Sequence, residues 1–128
     1  MIDHLGVSVR DYAASKAFYA AALKPLGIAQ IMEVGPDQNP SGWACGFGSN
    51  HKPYFWIGEG KTVDEGCHLA FQARTRAEVD AFYEAALKAG ATDNGAPGIR
   101  EIYHPNYYGA FVRDLNGFNL EAVCHAPE

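Results

Sequence analysis

The strongest constraint on the fold of this chain is an internal repeat with an offset of 64 residues. When residues 4–24 are aligned with residues 68–88, eleven of the twenty-one pairs are identical. Average residue usage gives about one match in fifteen, so chance does not explain this similarity. The chain is therefore predicted to contain two copies of one folding unit.

Apolar periodicity predicts the same order of elements in both copies: a strand, a helix and three strands. Asp11 is the expected N-cap of the first helix, and Thr75 with Glu78 forms a capping box at the second. Helices are predicted for residues 12–24 and 76–89. Strands are predicted for residues 2–9, 28–34, 43–47, 54–57, 67–73, 99–103, 109–113 and 118–123, the last two joined by an Asn116-Gly117 turn.

A single unit of this kind leaves one sheet face uncovered, so the two copies are expected to pack together. We predict one α+β domain over residues 1–128, made of a module at 1–60 and a module at 66–125. A polar linker, predicted at residues 58–66, joins the two modules. The two βαβββ modules should form a curved mixed sheet that encloses a cleft, with the helices outside.

Composition narrows the classes of partner. The net charge is -5 and the ten basic residues are scattered, which argues against nucleic acid or a membrane surface as partner. Cys45, Cys67 and Cys124 form an odd set without CxxC spacing, so neither a disulfide framework nor a thiolate zinc site is indicated. A cytoplasmic protein that binds a small-molecule substrate is expected.

Three side chains of the predicted cleft have the chemistry of metal ligands. The repeat places His4 and His68 at equivalent positions on the first strand of each module, opposite the apolar face. Glu121 lies on the corresponding face of the last strand, where an unpaired carboxylate would be costly. Two imidazoles and one carboxylate are a ligand set for a divalent metal ion such as Fe, Mn, Zn or Ni, with positions left open for substrate.

Several sequence motifs resemble the vicinal oxygen chelate superfamily, which includes glyoxalases, bleomycin resistance proteins and extradiol dioxygenases. The motifs are IDHLGVSV at residues 2–9, AFYAAAL at 17–23, CHLAF at 67–71 and GAFVRDLNGFNLEAV at 109–123. The resemblance implies paired βαβββ modules, a homodimer and metal ligation by His4, His68 and Glu121. Whether one chain forms the site or two chains share it is left open.

One departure from the superfamily pattern bears on the reaction. The module-one position equivalent to Glu121 is Trp56, where glyoxalase I-like members normally supply a second carboxylate. A tryptophan cannot ligate a metal ion. The resemblance therefore favours an enzyme of the dioxygenase, lyase or resistance-transferase type acting on a substrate with vicinal oxygens. The alternatives are an antibiotic-binding protein without catalysis and a dimeric accessory protein in which the metal is structural.

A run of polar aromatic residues precedes the last hairpin and supplies further candidates. Tyr103, His104 and Tyr108 are candidate acid–base residues of the site. Arg100 and Tyr107 are candidate substrate-binding residues, and an arginine suits an anionic substrate group. Tyr54 and Trp56 are expected to line the cleft wall. The alternative for the run is a packed loop with solvent-facing hydroxyls, and for Trp56 it is core filling. His51 and His125 are predicted to be surface residues.

Overall fold

A computed structural model describes residues 1–60, 63 and 66–128, so part of the linker predicted at 58–66 lies outside the described residues. Its first two residues, Gly58 and Glu59, belong instead to a strand. The described helices are α1 (Tyr12–Leu23), a short 3-10 helix (Lys24–Leu26) and α2 (Arg76–Lys88). The strands of the first module are β1 (Leu5–Val9), β2 (Ala29–Val34), β3 (Ala44–Ser49) and β4 (Lys52–Glu59). Those of the second are β5 (His68–Gln72), β6 (Thr92–Asp93), β7 (Gly98–Ile99), β8 (Tyr108–Arg113) and β9 (Asn119–Cys124).

The two modules form two separate sheets with matching topology. The first has the order β1-β4-β3-β2, and the second has the order β5-β9-β8-β6, with β7 also pairing with β8. In each module the first strand runs parallel to the last strand, and the remaining pairs are antiparallel. The predicted α+β class and the two-module repeat are confirmed. β1 and β5 each pair with one strand only, so each is an edge of its sheet in the described chain.

Both helices begin where the sequence predicts. The Asp11 side chain accepts a hydrogen bond from the Ala14 backbone N–H at 3.0 Å, and Thr75 accepts one from Glu78 N–H at 3.1 Å. These caps satisfy backbone donors that the first helical turn leaves without partners. Pro25 and Gly27 follow α1, and Gly27 has a positive φ of 73° that favours glycine. The helix therefore ends close to its predicted C-terminus.

An aromatic core joins the helices to both sheets. Tyr19 of α1 packs edge-on against Phe55 of β4, with ring centroids 5.1 Å apart. Phe55 in turn meets Phe71 of β5 edge-on at 5.3 Å, which links the cores of the two modules. Such contacts add to the gain from burying the rings, which is about 1.5–3 kcal/mol for each side chain.

A buried polar network also connects the modules. Asp114, in the turn between β8 and β9, accepts hydrogen bonds from the backbone N–H groups of Asn116 at 2.8 Å and Phe118 at 2.9 Å. Its other oxygen accepts the hydroxyl of Tyr19 from α1. The Asn116 side chain receives the Arg10 backbone N–H at 2.9 Å. The last hairpin is thereby fixed against the first module.

The segment between β7 and β8 differs from the prediction. The strand expected at residues 99–103 is wrong beyond Ile99, because β7 ends there. The Tyr103 N–H donates to the Arg100 carbonyl at 3.0 Å and the Tyr107 N–H donates to the His104 carbonyl at 3.1 Å. These hydrogen bonds within turns use backbone N–H and C=O groups that would otherwise pair with a neighbouring strand. None of the helices among the described residues is long and apolar enough to span a membrane.

Candidate metal centre

Glu121 lies in the middle of β9 and is 2% exposed. Its backbone pairs with Ala70 of β5 on one side and with Phe111 of β8 on the other. Strand alternation directs the apolar neighbours Leu120 and Ala122 into the core beneath the helices. The carboxylate therefore lies on the opposite face of the sheet, where burial requires that polar groups accompany it.

The two oxygens of Glu121 have different partners. His68, the first residue of β5, places Nε2 3.0 Å from Glu121 Oε2, while the hydroxyl of Tyr107 donates to Oε1. The His68 side chain is 50% exposed, so the pair opens to solvent on the imidazole side. Burial and the hydrogen bond to Glu121 raise the pKa of Tyr107 above its usual value, which keeps the phenol protonated as a donor.

The spacing of His68 and Glu121 fits two neighbouring positions around a divalent ion. Two ligand atoms that each lie about 2.1 Å from a metal, at a right angle to one another, are about 3.0 Å apart. The separation of Nε2 and Oε2 is 3.0 Å. The donor types, an imidazole nitrogen and a carboxylate oxygen, also suit Fe, Mn, Zn or Ni.

His4 lies apart from this pair within one chain. It precedes β1, its side chain is 60% exposed, and its Nδ1 bonds Asp3 Oδ1 at 2.7 Å. Asp3 Oδ1 also binds Lys52 Nζ at 2.7 Å, and these hydrogen bonds, with that of Lys52 largest, lower the pKa of Asp3. If Nδ1 donates to Asp3, Nε2 keeps its lone pair for a ligand. Among residues 1–60, 63 and 66–128, no three ligand-type side chains of a single chain come together around one point.

The two candidate histidine ligands line different cavities. His68 lines a cavity of about 390 Å³ between the modules, together with Tyr54, Leu5 and the edge strand β5. His4 lines a different cavity of about 500 Å³, together with Lys52 and Trp56. Both predicted cleft residues, Tyr54 and Trp56, thus face a cavity that also contains a candidate ligand.

The strand registers support the equivalence of Trp56 and Glu121. Gly6 of β1 pairs with Trp56 of β4, and Ala70 of β5 pairs with Glu121 of β9. Because Gly6 and Ala70 are related by the repeat offset of 64 residues, their partners are equivalent too. The Trp56 indole packs over Gly46, where an added Cβ would approach it to 2.8 Å. The position that carries a carboxylate in the second module thus carries an aromatic wall in the first.

The sequence as a whole matches one known family. Residues 1–122 match the model of the Glyoxalase/Bleomycin resistance protein/Dioxygenase superfamily. The chain belongs to this superfamily. A glyoxalase/bleomycin resistance protein from Albidiferax ferrireducens is 30% identical, with a TM-score of 0.78 over 95% of this chain and 97% of that one. A search among curated proteins found no significant match.

More distant members of the superfamily share the fold. The genomically encoded fosfomycin resistance protein FosX from Listeria monocytogenes is 19% identical, with a TM-score of 0.71 over 98% of this chain and 93% of that one. A variant of FosX, crystallised with Mn(II) and 1S,2S-dihydroxypropylphosphonic acid, is 19% identical, with a TM-score of 0.68 over 96% and 88%. At these identities the similarity establishes the fold alone.

Arg100 contacts Phe111, which lies beside the His68–Glu121 pair. Its guanidinium stacks over the Phe111 ring at 5.5 Å and donates to the Ala96 carbonyl at 2.7 Å. Phe111 is the cross-strand partner of Glu121, and its ring centroid is 6.4 Å from that of His68. A cation on this ring can attract an anionic group of a ligand that reaches His68.

The neighbouring tyrosines Tyr107 and Tyr108 point to opposite sides of the sheet. Tyr107 reaches Glu121, whereas the Tyr108 hydroxyl donates to Asp80 of α2 at 2.6 Å. The hydrogen bond to Asp80, followed by burial, raises the pKa of Tyr108 to about 12. The structure therefore brings Tyr107 to the carboxylate and directs Tyr108, a predicted acid–base candidate, to the helix side.

Two further candidates lie beside Tyr107. Tyr103 is 58% exposed and its ring centroid is 4.7 Å from that of Tyr107. His104 Nε2 lies 2.9 Å from Nδ1 of His125, for which the sequence predicts only a surface position. His125 is exposed as predicted, yet it belongs to this cluster. It directly follows β9, four residues after Glu121. This even spacing was the available signal, because strand alternation puts residues i and i+4 on one face.

Proposed function

We propose that this protein is a divalent-metal-dependent enzyme that acts on a small molecule through two neighbouring oxygens, of the dioxygenase, lyase or resistance-transferase type. The observation that carries the proposal is the His68–Glu121 pair, in which a 2% exposed carboxylate lies 3.0 Å from a half-exposed imidazole. Membership of the superfamily supports it. The FosX complex with Mn(II) and a dihydroxypropylphosphonic acid is a precedent in another protein of this fold.

In this proposal the metal supplies Lewis-acid stabilisation of negative charge that develops on a substrate oxygen. His68 and Glu121 are the ligands from the second module. Phe111, whose ring centroid lies 6.4 Å from that of His68, is an aromatic wall that reduces the access of water. Arg100, stacked on Phe111, is placed to pair with an anionic substituent of the substrate and so to fix its orientation.

We assign the third ligand to His4 of the partner subunit in a homodimer. Within one chain His4 and His68 line different cavities, so an intact triad requires another arrangement of the modules. β1 and β5 are both edge strands of the described chain, which leaves both histidine-bearing edges free to meet a second copy. Symmetric pairing of two copies would create two equivalent sites.

Mixed dimers test this arrangement directly. His4→Ala and Glu121→Ala should each lower the affinity for Mn(II), measured by isothermal titration calorimetry on metal-free protein. When equal amounts of the two variants are unfolded together and refolded, half of the dimers combine one chain of each kind. Each mixed dimer then holds one intact site, so about a quarter of all sites should regain wild-type affinity.

A site contained in one chain would regain no affinity on mixing, and this result would contradict the shared arrangement alone. Wild-type protein that binds no stoichiometric metal, together with unchanged behaviour of Glu121→Ala, would contradict the metal-dependent function as a whole. The first outcome concerns only the sharing of the site between subunits, whereas the second concerns the metal-dependent function itself.

Small-molecule binding without catalysis is the second candidate function. The cavity of about 390 Å³ beside His68 favours it, since Tyr54, Phe55 and Leu69 give it aromatic and apolar walls. A tight ligand recovered unchanged after prolonged incubation with Mn(II)-loaded protein would favour this function. Conversion of the ligand, lost in Glu121→Ala, would favour the enzyme.

A further inference from the structure

Tyr107 uses its hydroxyl on Glu121 rather than leaving it free for a substrate. The hydroxyl donates to Oε1, while Oε2 of the same carboxylate faces His68 Nε2 at 3.0 Å. A carboxylate can bind a metal ion through one oxygen or through both. Because a phenol engages Oε1, the oxygen directed towards the His68 side is Oε2.

The ring of Tyr107 is held on several sides. Its centroid lies 5.4 Å from that of His104 and 5.3 Å from that of His125, and both contacts are T-shaped. The backbone is fixed as well, because the Tyr107 N–H donates to the His104 carbonyl and the Tyr107 carbonyl accepts the Arg100 N–H at 2.8 Å. The direction of the phenol is therefore determined by its surroundings.

The two histidines form a defined hydrogen-bonded pair. The Asn106 backbone N–H donates to His104 Nδ1 at 3.0 Å, so this nitrogen is unprotonated in the neutral imidazole. His104 Nε2–H then donates to His125 Nδ1 at 2.9 Å. This bond joins the loop that carries Tyr107 to the end of β9, the strand that carries Glu121.

We propose that Tyr107 is a positioning residue of the metal centre, which holds Glu121 as a one-oxygen ligand through Oε2. The His104–His125 pair supports this role indirectly, because both rings pack against Tyr107 and keep its phenol against Glu121. The inference rests on the proposed function, since it needs a metal at His68 and Glu121. Groups that hydrogen-bond to metal ligands typically change metal affinity about 10–100-fold when removed.

The test compares Tyr107→Phe with Tyr108→Phe, a matched control in which the adjacent tyrosine loses its hydrogen bond to Asp80 on the other side of the sheet. Co(II) is titrated into each metal-free protein, with its Kd measured by calorimetry and its visible d–d absorption recorded. Tyr107→Phe should weaken Co(II) binding about tenfold and change the intensity of the d–d bands, as Glu121 becomes free to use both oxygens. Tyr108→Phe should leave affinity and spectrum as in the wild type.

Gly109→Ala provides a second variant that retains the hydroxyl. A Cβ at residue 109 would lie 3.2 Å from Tyr107 Cε1 and 3.5 Å from Glu121 Oε1, so it should push the ring away from the carboxylate. The same spectral change is expected here, and this variant carries the test if metal-free Tyr107→Phe does not fold. Wild-type affinity and spectrum in both Tyr107→Phe and Gly109→Ala would overturn the inference alone. A wild-type protein that binds no Co(II) would overturn the proposed function and the inference with it.

Discussion

Asp114 and Glu121 are the two buried carboxylates among the described residues, and they lie on the same hairpin with opposite surroundings. Asp114 accepts two backbone N–H groups of its own turn and the hydroxyl of Tyr19. Glu121 accepts one hydroxyl, and its other oxygen faces an imidazole that is half exposed. Burial alone thus does not identify a functional carboxylate. The groups that surround the carboxylate determine whether its role is structural or chemical.

The partners of Asp114 all donate to it from fixed positions. Backbone N–H groups can only donate, and Tyr19 is fully buried in the core. The His68 imidazole beside Glu121 can instead exchange its hydrogen bond for a metal. The first carboxylate therefore stabilises the junction of the modules, and the second is available for chemistry.

Replacing each carboxylate by its amide tests this difference, because the two substitutions are expected to affect folding to different extents. Asp114→Asn has the larger expected effect on folding, because an amide N–H₂ would replace the oxygen that accepts from the Tyr19 hydroxyl and, at 3.3 Å, from Asn116 Nδ2, which can only donate. We expect a loss of about 2–4 kcal/mol in the free energy of unfolding, from weakened charge-assisted bonds and poorly satisfied groups. Urea denaturation of the metal-free protein measures it. A loss below about 1 kcal/mol would mean that Asp114 is not a structural centre.

Glu121→Gln has the smaller expected effect on folding. The amide oxygen can still accept from Tyr107, and the amide N–H₂ can donate to an unprotonated His68 Nε2. The free energy of unfolding of the metal-free protein should stay within about 1 kcal/mol of the wild type. Affinity for Mn(II), measured by calorimetry, should fall by more than about 100-fold because a ligand oxygen is lost. A large loss of stability with unchanged metal affinity would make Glu121 a second structural carboxylate.

The sequence predicted the parts of this fold that local pattern determines. The repeat and its helix caps predicted both modules, and alternation placed Glu121 on the face away from the helices. The strand predicted at 99–103 was wrong beyond Ile99, because turns involving Arg100 and His104 shape that segment. The periodicity of apolar residues does not indicate such turns.

The sequence could not reveal partners that meet only after the modules pack. The Tyr19–Asp114 bond joins residues 95 positions apart, and no local sequence pattern indicates it. Tyr107 was a candidate for substrate binding, whereas its hydroxyl lies on Glu121. Its direction depends on the backbone of the preceding loop and on contacts with His104 and His125, which composition and spacing do not encode.

The most direct test of the metal centre is anomalous diffraction from a crystal of the wild-type protein soaked in Mn(II). We predict one anomalous peak within about 2.3 Å of both His68 Nε2 and Glu121 Oε2, with His4 of the partner subunit as the third protein ligand. A crystal that binds Mn(II) elsewhere, or shows no peak at this pair, would contradict the assignment of Glu121 as a metal ligand.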